Sequence, residues 1–111
     1  MTPLTLSHGQ HATLAVSIER FIDTTFPGWV QCAFVDASGT RHVIHEKIPV
    51  VATSAVALDT LPVAGAIRCT VINQNNAVVA IETLSPNGIE SVAGEHRFLV
   101  EQALVTVCLF S

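Results

Sequence analysis

The chain has 111 residues and a formal net charge of −4, with half of its residues hydrophobic and 13% charged. This composition excludes a disordered chain, and the length is that of one domain with its own core. Five Lys and Arg residues against nine Asp and Glu argue against a nucleic-acid or lipid-binding surface. We expect a cytoplasmic protein, because the chain starts without a secretory signal pattern and no apolar run reaches the ~18 residues of a membrane span.

The first predicted strand follows a loose lead-in over residues 1–11. From Ala12 onward apolar and polar residues alternate, which predicts a half-buried strand; its apolar face carries Leu14, Val16 and Ile18. The alternation ends at Phe26-Pro27-Gly28, because Pro and Gly together indicate a turn.

The first hairpin is predicted over Trp29–Val35 and 40–47, with a turn at 36–39 that contains Asp and Gly. Pro49 then leaves the ladder, since proline donates no backbone hydrogen bond. Residues 52–65 are predicted to form a loop that contains at most one helical turn, near 54–58.

A second hairpin is predicted over residues 66–73 and 77–84, closed by a turn rich in Asn. A third and shorter hairpin is predicted over 89–92 and 95–100. The apolar run at 104–110 predicts a buried closing strand, although residues 101–105 are compatible with either a helix or a strand.

The first two hairpins resemble each other at an offset of 37 residues, since Gly28, Cys32 and Ile44 recur as Gly65, Cys69 and Ile81. Both internal duplication and convergence of two amphipathic hairpins explain this echo. In either case Cys32 and Cys69 are predicted to face the core, because strand residues two apart share a face. The whole chain, residues 1–111, is predicted to be one all-β domain: a small closed or partly open β-barrel of six to seven mostly antiparallel strands built from consecutive hairpins.

The three cysteines favour packing over chemistry. No Cys-x₂₋₄-Cys pair suggests zinc, and the odd count fits no disulfide framework, so reduced thiols are expected. The last four residues, Cys108-Leu109-Phe110-Ser111, match the letters of a prenylation signal. The apolar, non-basic run before them favours a buried terminal strand instead.

No catalytic, cofactor-binding or metal-binding residues are predicted. His42 and His45 are three apart, which places them on opposite faces of a strand, so they do not form the His-x-His pair of a cupin. We therefore expect surface histidines. No Gly-x-Ser-x-Gly elbow and no phosphate-binding glycine loop occurs.

The segment 28–51 and the turn that begins Gly88-Ile89-Glu90-Ser91 resemble a group of small, uncharacterised bacterial all-β proteins. The resemblance covers about a third of the chain and implies a stand-alone bacterial cytoplasmic protein. It implies no activity and no site residues.

The leading functional hypothesis is a non-enzymatic protein-interaction or binding module, of which an immunity or inhibitor protein is one version. Its candidate surface is formed by Trp29, Arg41, His42 and His45; the alternative position for Trp29 is over the open end of the barrel beneath Phe26. The alternative function is a small-molecule-binding or enzymatic barrel with its site at the mouth. A filled core without a pocket of convergent polar groups would reject the alternative, whereas a pocket that holds a Cys or His with a polar partner would count against the leading hypothesis. Homodimerisation through the edge strand 40–47 is a further hypothesis.

Overall fold

The computed structural model describes residues 8–52 and 60–108. These residues form seven antiparallel strands in one curled sheet, a half-barrel, which confirms the predicted all-β class. The strands are β1 (His11–Asp23), β2 (Trp29–Val35), β3 (Arg41–Lys47), β4 (Val63–Asn75), β5 (Val78–Glu82), β6 (Arg97–Glu101) and β7 (Val105–Val107). A single helical turn, α1 (Ile48–Val51), follows β3, and a 3₁₀ turn (Gln102–Leu104) separates β6 from β7. No helix within the described ranges combines the length and the apolar character needed to cross a membrane.

The long strand β1 organises the sheet, whose order is β3-β2-β1-β4-β5-β6. One edge of β1 pairs with β4 from His11 to Ile18. The opposite edge is shared: β7 pairs with β1 as far as Leu14, and β2 pairs with it from Ser17 onward. The strand therefore changes its neighbour in the middle of one edge.

The core lies on the concave face of the sheet and follows the period-two alternation of the strands. Its fully buried members include Leu14 and Ile18 of β1, Val30 and Cys32 of β2, and Ile67 of β4. Each apolar side chain removed from water contributes on the order of 1.5–3 kcal/mol to folding. Burial of the apolar faces of these strands is thus the main contribution to the stability of the fold.

The two end strands of the sheet, β3 and β6, approach each other without forming a ladder. The Ala37 N–H in the β2–β3 turn donates to Leu99 O of β6 at 2.8 Å. The Val92 N–H, in the loop before β6, donates to Val43 O of β3 at 2.8 Å. Isolated backbone hydrogen bonds and side-chain contacts therefore hold the two ends of the half-barrel together.

The first two predicted hairpins are confirmed as β2–β3 and β4–β5, but the third is wrong. Residues 89–92 form no strand, and β6 pairs with β5 instead. Thr83 explains the difference, because it holds this segment to the end of β5: its hydroxyl donates to Ile89 O at 2.7 Å and its N–H to His96 O at 2.8 Å. The predicted turn at Ala93-Gly94 does form, with the Gly94 N–H donating to Ser91 O.

Three boundary predictions have different outcomes. The lead-in is shorter than predicted, because His11 already pairs with Thr70. The closing strand is only Val105–Val107, and residues 109–111 lie outside the described part of the chain. The possible helical turn near 54–58 also lies outside it, and the described helical turn is α1, where Pro49 occupies a first-turn position that needs no N–H donor.

The echo between the hairpins aligns their strands but not their registers. Cys32 faces Ile44 across β2–β3, whereas Ile81 faces Val71 rather than Cys69 across β4–β5. The two glycines also differ. Gly28 takes a positive φ of 86° in a turn, whereas a Cβ at Gly65 would lie 2.8 Å from Val51 O.

Candidate functional site

The loop between β1 and β2 is held in one conformation by three hydrogen bonds. The Thr25 N–H donates to Asp23 Oδ1 at 2.8 Å, and the Gly28 N–H donates to Thr25 O at 2.7 Å. The Ile48 N–H of α1 donates to Gly28 O at 2.9 Å. Positive φ at Gly28 allows the chain to return into β2. The loop is thus an ordered turn attached to the rest of the molecule.

This turn presents aromatic surface to solvent. Phe26 at its apex is 94% exposed, and Trp29 at the start of β2 is 36% exposed. Ile22, near the end of β1, is exposed as well. We call Ile22, Phe26 and Trp29 the tip patch. Single exposed apolar residues are ordinary, but three large ones at one turn and the strand ends that flank it are typical of interaction surfaces.

The structure divides the four predicted surface residues. Trp29, Arg41 and His45 lie on the outer face of the β2–β3 hairpin, whereas His42 is buried on the inner face. Trp29 lies opposite Lys47, whose Nζ is 5.7 Å from the centroid of the indole ring. The alternative position of Trp29 beneath Phe26 does not occur, because the Phe26 side chain is almost fully exposed to solvent. Arg41 is at the other end of the hairpin, about 20 Å from Trp29 at ~3.4 Å per strand residue. These residues therefore do not form one surface.

His42 is the correction with the largest structural consequence. The prediction of a surface histidine is wrong, since only 9% of His42 is exposed. Its ring lies 5.3 Å from that of Phe34 and 4.8 Å from that of Phe98, and the Phe34 and Phe98 rings meet edge-on at 5.0 Å. Alternation places His42 inward because its neighbours Arg41 and Val43 face outward. An apolar cluster and a polar partner together allow an imidazole to be buried there.

Asp36 is that partner. Its Oδ2 lies 2.7 Å from His42 Nε2, and its Oδ1 accepts hydrogen bonds from the backbone N–H groups of Ser38 and Thr40 and from the Ser38 hydroxyl. The hydrogen bond with His42, followed by those from Ser38 and Thr40, holds the pKa of the Asp36 carboxyl well below its ordinary value. The ionised carboxylate therefore accepts from the imidazole N–H. We call Phe34, Asp36, His42 and Phe98 the closure cluster.

A cleft of about 340 Å³ opens beside the closure cluster and is lined by Asp36, Ser38, His42, Arg97 and others. Carboxylate–imidazole pairs also occur in hydrolases, where the imidazole activates a nucleophile. Here the nearby Ser38 hydroxyl donates to the carboxylate at 2.7 Å and does not bond the imidazole. The Asp36 carboxylate therefore caps the β2–β3 turn, and the His42 ring packs against the two Phe rings.

A polar network covers the outer face of the first three strands. Both terminal nitrogens of Arg41 donate to Glu19, at 2.5 and 2.6 Å, and Gln31 Nε2 donates to the same carboxylate at 3.0 Å. The hydrogen bonds from Arg41 and then Gln31 lower the pKa of Glu19 to about 2 from 4.5. Arg20 donates to Gln31 Oε1 at 2.8 Å and completes the network.

This network predicts acid sensitivity. Because the pKa of Glu19 is lower when folded, its contribution to stability is complete above pH 4.5 and is lost as the pH falls towards about 2. We expect the free energy of unfolding, measured in urea, to decline across that range. Glu19→Gln should make the decline shallower, whereas Glu101→Gln, at an exposed position of β6, should not. Identical slopes for both variants would contradict the assignment.

A second carboxylate cluster lies at the β5–β6 pair. Glu82 accepts from His96 Nδ1 at 2.6 Å, from Arg97 Nε at 2.7 Å and from the Leu84 N–H at 3.1 Å. Partial burial opposes ionisation, but these hydrogen bonds, led by Arg97, leave the pKa of Glu82 lowered. Glu82 was not among the candidate residues predicted from the sequence. The spacing of residues 82, 96 and 97 contains no signal for their approach, because it results from the pairing of β5 with β6.

Cys32 and Cys69 are completely buried in the core, as the strand pattern predicts. Burial raises the pKa of both thiols to about 12, so almost no thiolate forms at neutral pH. Cys108, at the end of β7, is partly exposed. Among the described residues, no three His, Cys, Asp or Glu side chains group in a way that could hold a metal ion.

The thiols provide a direct check of this packing. A thiol reagent such as dithiobis(nitrobenzoate) should label Cys108 but neither Cys32 nor Cys69 in the native protein, because thiolates react and buried thiols do not. All three should react in guanidinium chloride. Cys108→Ser should leave the native protein unlabelled, and rapid native labelling of that variant would show that the core is open.

Comparisons with known proteins identify no relative of this chain. No family model, curated protein or solved structure matches the chain.

Proposed function

We propose that the protein is a non-enzymatic interaction module that binds a protein partner through the tip patch. The observation that carries the proposal is the 94% exposure of Phe26 in a hydrogen-bonded turn. Binding energy in protein interfaces is concentrated in a few aromatic anchors that enter a pocket of the partner. An anchor held in one conformation before binding loses less conformational entropy when it binds.

The charge of the chain indicates the class of partner. A net charge of −4 favours encounter with a basic protein, because complementary charge steers association. An immunity or inhibitor protein for a basic toxin or nuclease is one version of this function. Lys47 lies beside Trp29, with its Nζ 5.7 Å from the centroid of the indole ring.

Edge-strand dimerisation has less support than the tip patch. β3 is an end strand of the sheet, but its edge carries Arg41, His45 and Lys47, and the Val43 carbonyl already accepts from Val92. Charged side chains and covering loops are the usual protection of an edge against pairing. A single monomeric mass in light scattering at high concentration is therefore the expected result.

The second candidate function is a small-molecule-binding or enzymatic barrel. The observation that favours it is the cleft beside Asp36 and His42, where an imidazole has a polar partner. We assign this pair to the closure of the half-barrel, because the Ser38 hydroxyl bonds the carboxylate rather than the imidazole and the imidazole packs against Phe34 and Phe98. His42→Gln tests the choice: a binding module should keep its partner, whereas an enzyme with this base should lose activity by about 10²–10⁴-fold.

A photo-crosslinking amino acid at position 26, expressed in the source cells, tests the proposal. We expect a discrete adduct that excess unlabelled wild-type protein suppresses and that a Phe26→Ser competitor does not. Position 92 is the matched control, because Val92 is also an exposed apolar residue in a loop but lies outside the tip patch. Phe26→Ser should change stability by no more than about 0.5 kcal/mol, as for other exposed positions. Equal suppression by both competitors, or equal adducts at positions 26 and 92, would reject the proposal.

A further inference from the structure

The outer face contains a cleft at the place where β1 changes its neighbour. β7 pairs with β1 as far as Leu14 and β2 begins at Ser17, so residues 15–16 pair with neither strand and the two strands diverge. An open cleft of about 560 Å³ lies at this divergence. That volume is within the range of about 300–1,000 Å³ typical of small-molecule sites.

The lining of the cleft combines small and larger side chains. The small ones come from three strands: Ala15 and Ser17 of β1, Ala33 of β2 and Ala64 of β4. The larger apolar ones include the buried Val16 and Phe34 and the more exposed Val35, Pro62 and Leu104. A ligand with an apolar body could therefore lie close to the backbone of three strands and displace water from apolar surface.

The polar end of the cleft is electrically balanced. Arg41 and Glu19 line it together, and both carboxylate oxygens already accept from Arg41. Within the described residues, the Ser17 hydroxyl and the Arg41 Nε–H bond no other protein group. The cleft thus offers free hydrogen-bond donors without a net charge. A charged head group would find no unpaired opposite charge there, because Arg41 and Glu19 already pair with each other.

We infer that this cleft binds a small, uncharged, mainly apolar molecule that carries one hydrogen-bond acceptor such as a ketone, ester or amide carbonyl. The apolar walls take the body of the molecule, and Ser17 and Arg41 donate to its carbonyl oxygen. The site is separate from the tip patch and goes beyond the proposed protein-binding function.

A matched series of probes tests the ligand class. Protein labelled with ¹³C at its alanine methyl groups would be titrated with 2-octanone, octanoate and octylammonium, which differ mainly in their head groups. We expect 2-octanone to shift the methyl signals of Ala15, Ala33 and Ala64 saturably. Octanoate and octylammonium should bind at least tenfold more weakly, because each brings an unpaired charge to the cleft.

Variants identify the site. Ala64→Leu fills the cleft from an exposed position and should abolish the 2-octanone shifts at Ala15 and Ala33. Ala80→Leu, on the outer face of β5 and outside the cleft, is the matched control and should leave binding unchanged. Ser17→Ala should weaken binding about three- to tenfold through the loss of one hydrogen bond.

Several results would overturn the inference. One is the absence of saturable shifts at the three cleft methyl groups. Another is undiminished binding by Ala64→Leu, provided that its remaining spectrum is that of the folded protein. Equal affinity for octanoate and 2-octanone would reject the uncharged ligand class. Shifts of equal size at Ala80 would indicate general adsorption of an apolar probe.

Discussion

A Phe98→Ala variant is expected to lose about 3–5 kcal/mol of unfolding free energy, the usual cost of truncating a buried Phe. Phe98 is 5% exposed and joins the two ends of the half-barrel: its ring on β6 contacts Phe34 on β2 and His42 on β3. Truncation therefore leaves a cavity and also removes the packing that brings β6 to β2 and β3. Urea denaturation followed by the emission of the single Trp would measure the loss.

The next residue provides the control. Leu99 lies on the same strand but faces outward and is 58% exposed. Leu99→Ala should change stability by no more than about 0.5 kcal/mol. A difference of less than 1 kcal/mol between the two variants would contradict the assignment of Phe98 to the closure cluster.

An Asp36→Ala variant is expected to lose about 2–3 kcal/mol, within the range for hydrogen bonds to a charged group. Asp36 holds the β2–β3 turn through Ser38 and Thr40 and supplies the polar partner of His42. Its removal loosens the turn and leaves a buried imidazole nitrogen without its acceptor. The same denaturation experiment would measure the effect.

Two further variants separate these contributions. Asp23→Ala removes a similar turn carboxylate, but one that accepts from Thr25 at an exposed site and has no buried partner. It should cost clearly less than Asp36→Ala. His42→Phe should reduce the cost of Asp36→Ala, because no imidazole is then left unpaired. Equal costs for the two aspartates, or no coupling with His42, would contradict this role of Asp36.

The strands and the first two hairpins were predictable because their signals are local. Alternation over β1 and turn residues between β2 and β3 determine which residues face inward, and Cys32 and Cys69 followed the same rule. The 37-residue echo also identified equivalent strands. It could not identify their registers, which depend on irregularities inside the pairs, such as the shift between Val71 and Asn73.

The closure of the half-barrel was not predictable from local pattern. His42 was expected on the surface because its spacing from His45 forms no metal-binding pair. Its burial depends on Phe98, which is distant in sequence and brought near by the β5–β6 pairing. The failed third hairpin has a similar cause, since Thr83 binds the segment that the turn signals predicted as a strand. Such contacts form between elements that are distant in sequence, so no residue spacing predicts them.

Only part of the tip patch was predictable from the sequence. Trp29 was predicted as an interface residue, but Phe26 was expected only to mark a turn or to cover Trp29. The direction in which a turn presents its apex depends on its attachment, here the hydrogen bond from the Ile48 N–H to Gly28 O. The same holds for the outer cleft, which exists because two strands share one edge of β1.

Titration of the purified partner captured at position 26 is the decisive test of the tip patch as the binding surface. Trp29 is the only tryptophan and reports binding through its emission. We expect a blue shift on binding and a Kd at least about 30-fold weaker for Phe26→Ala, which corresponds to a hot spot of about 2 kcal/mol. Val92→Ala should bind like the wild type. Unchanged emission together with equal affinity of Phe26→Ala and the wild type would show that the partner binds elsewhere on the protein.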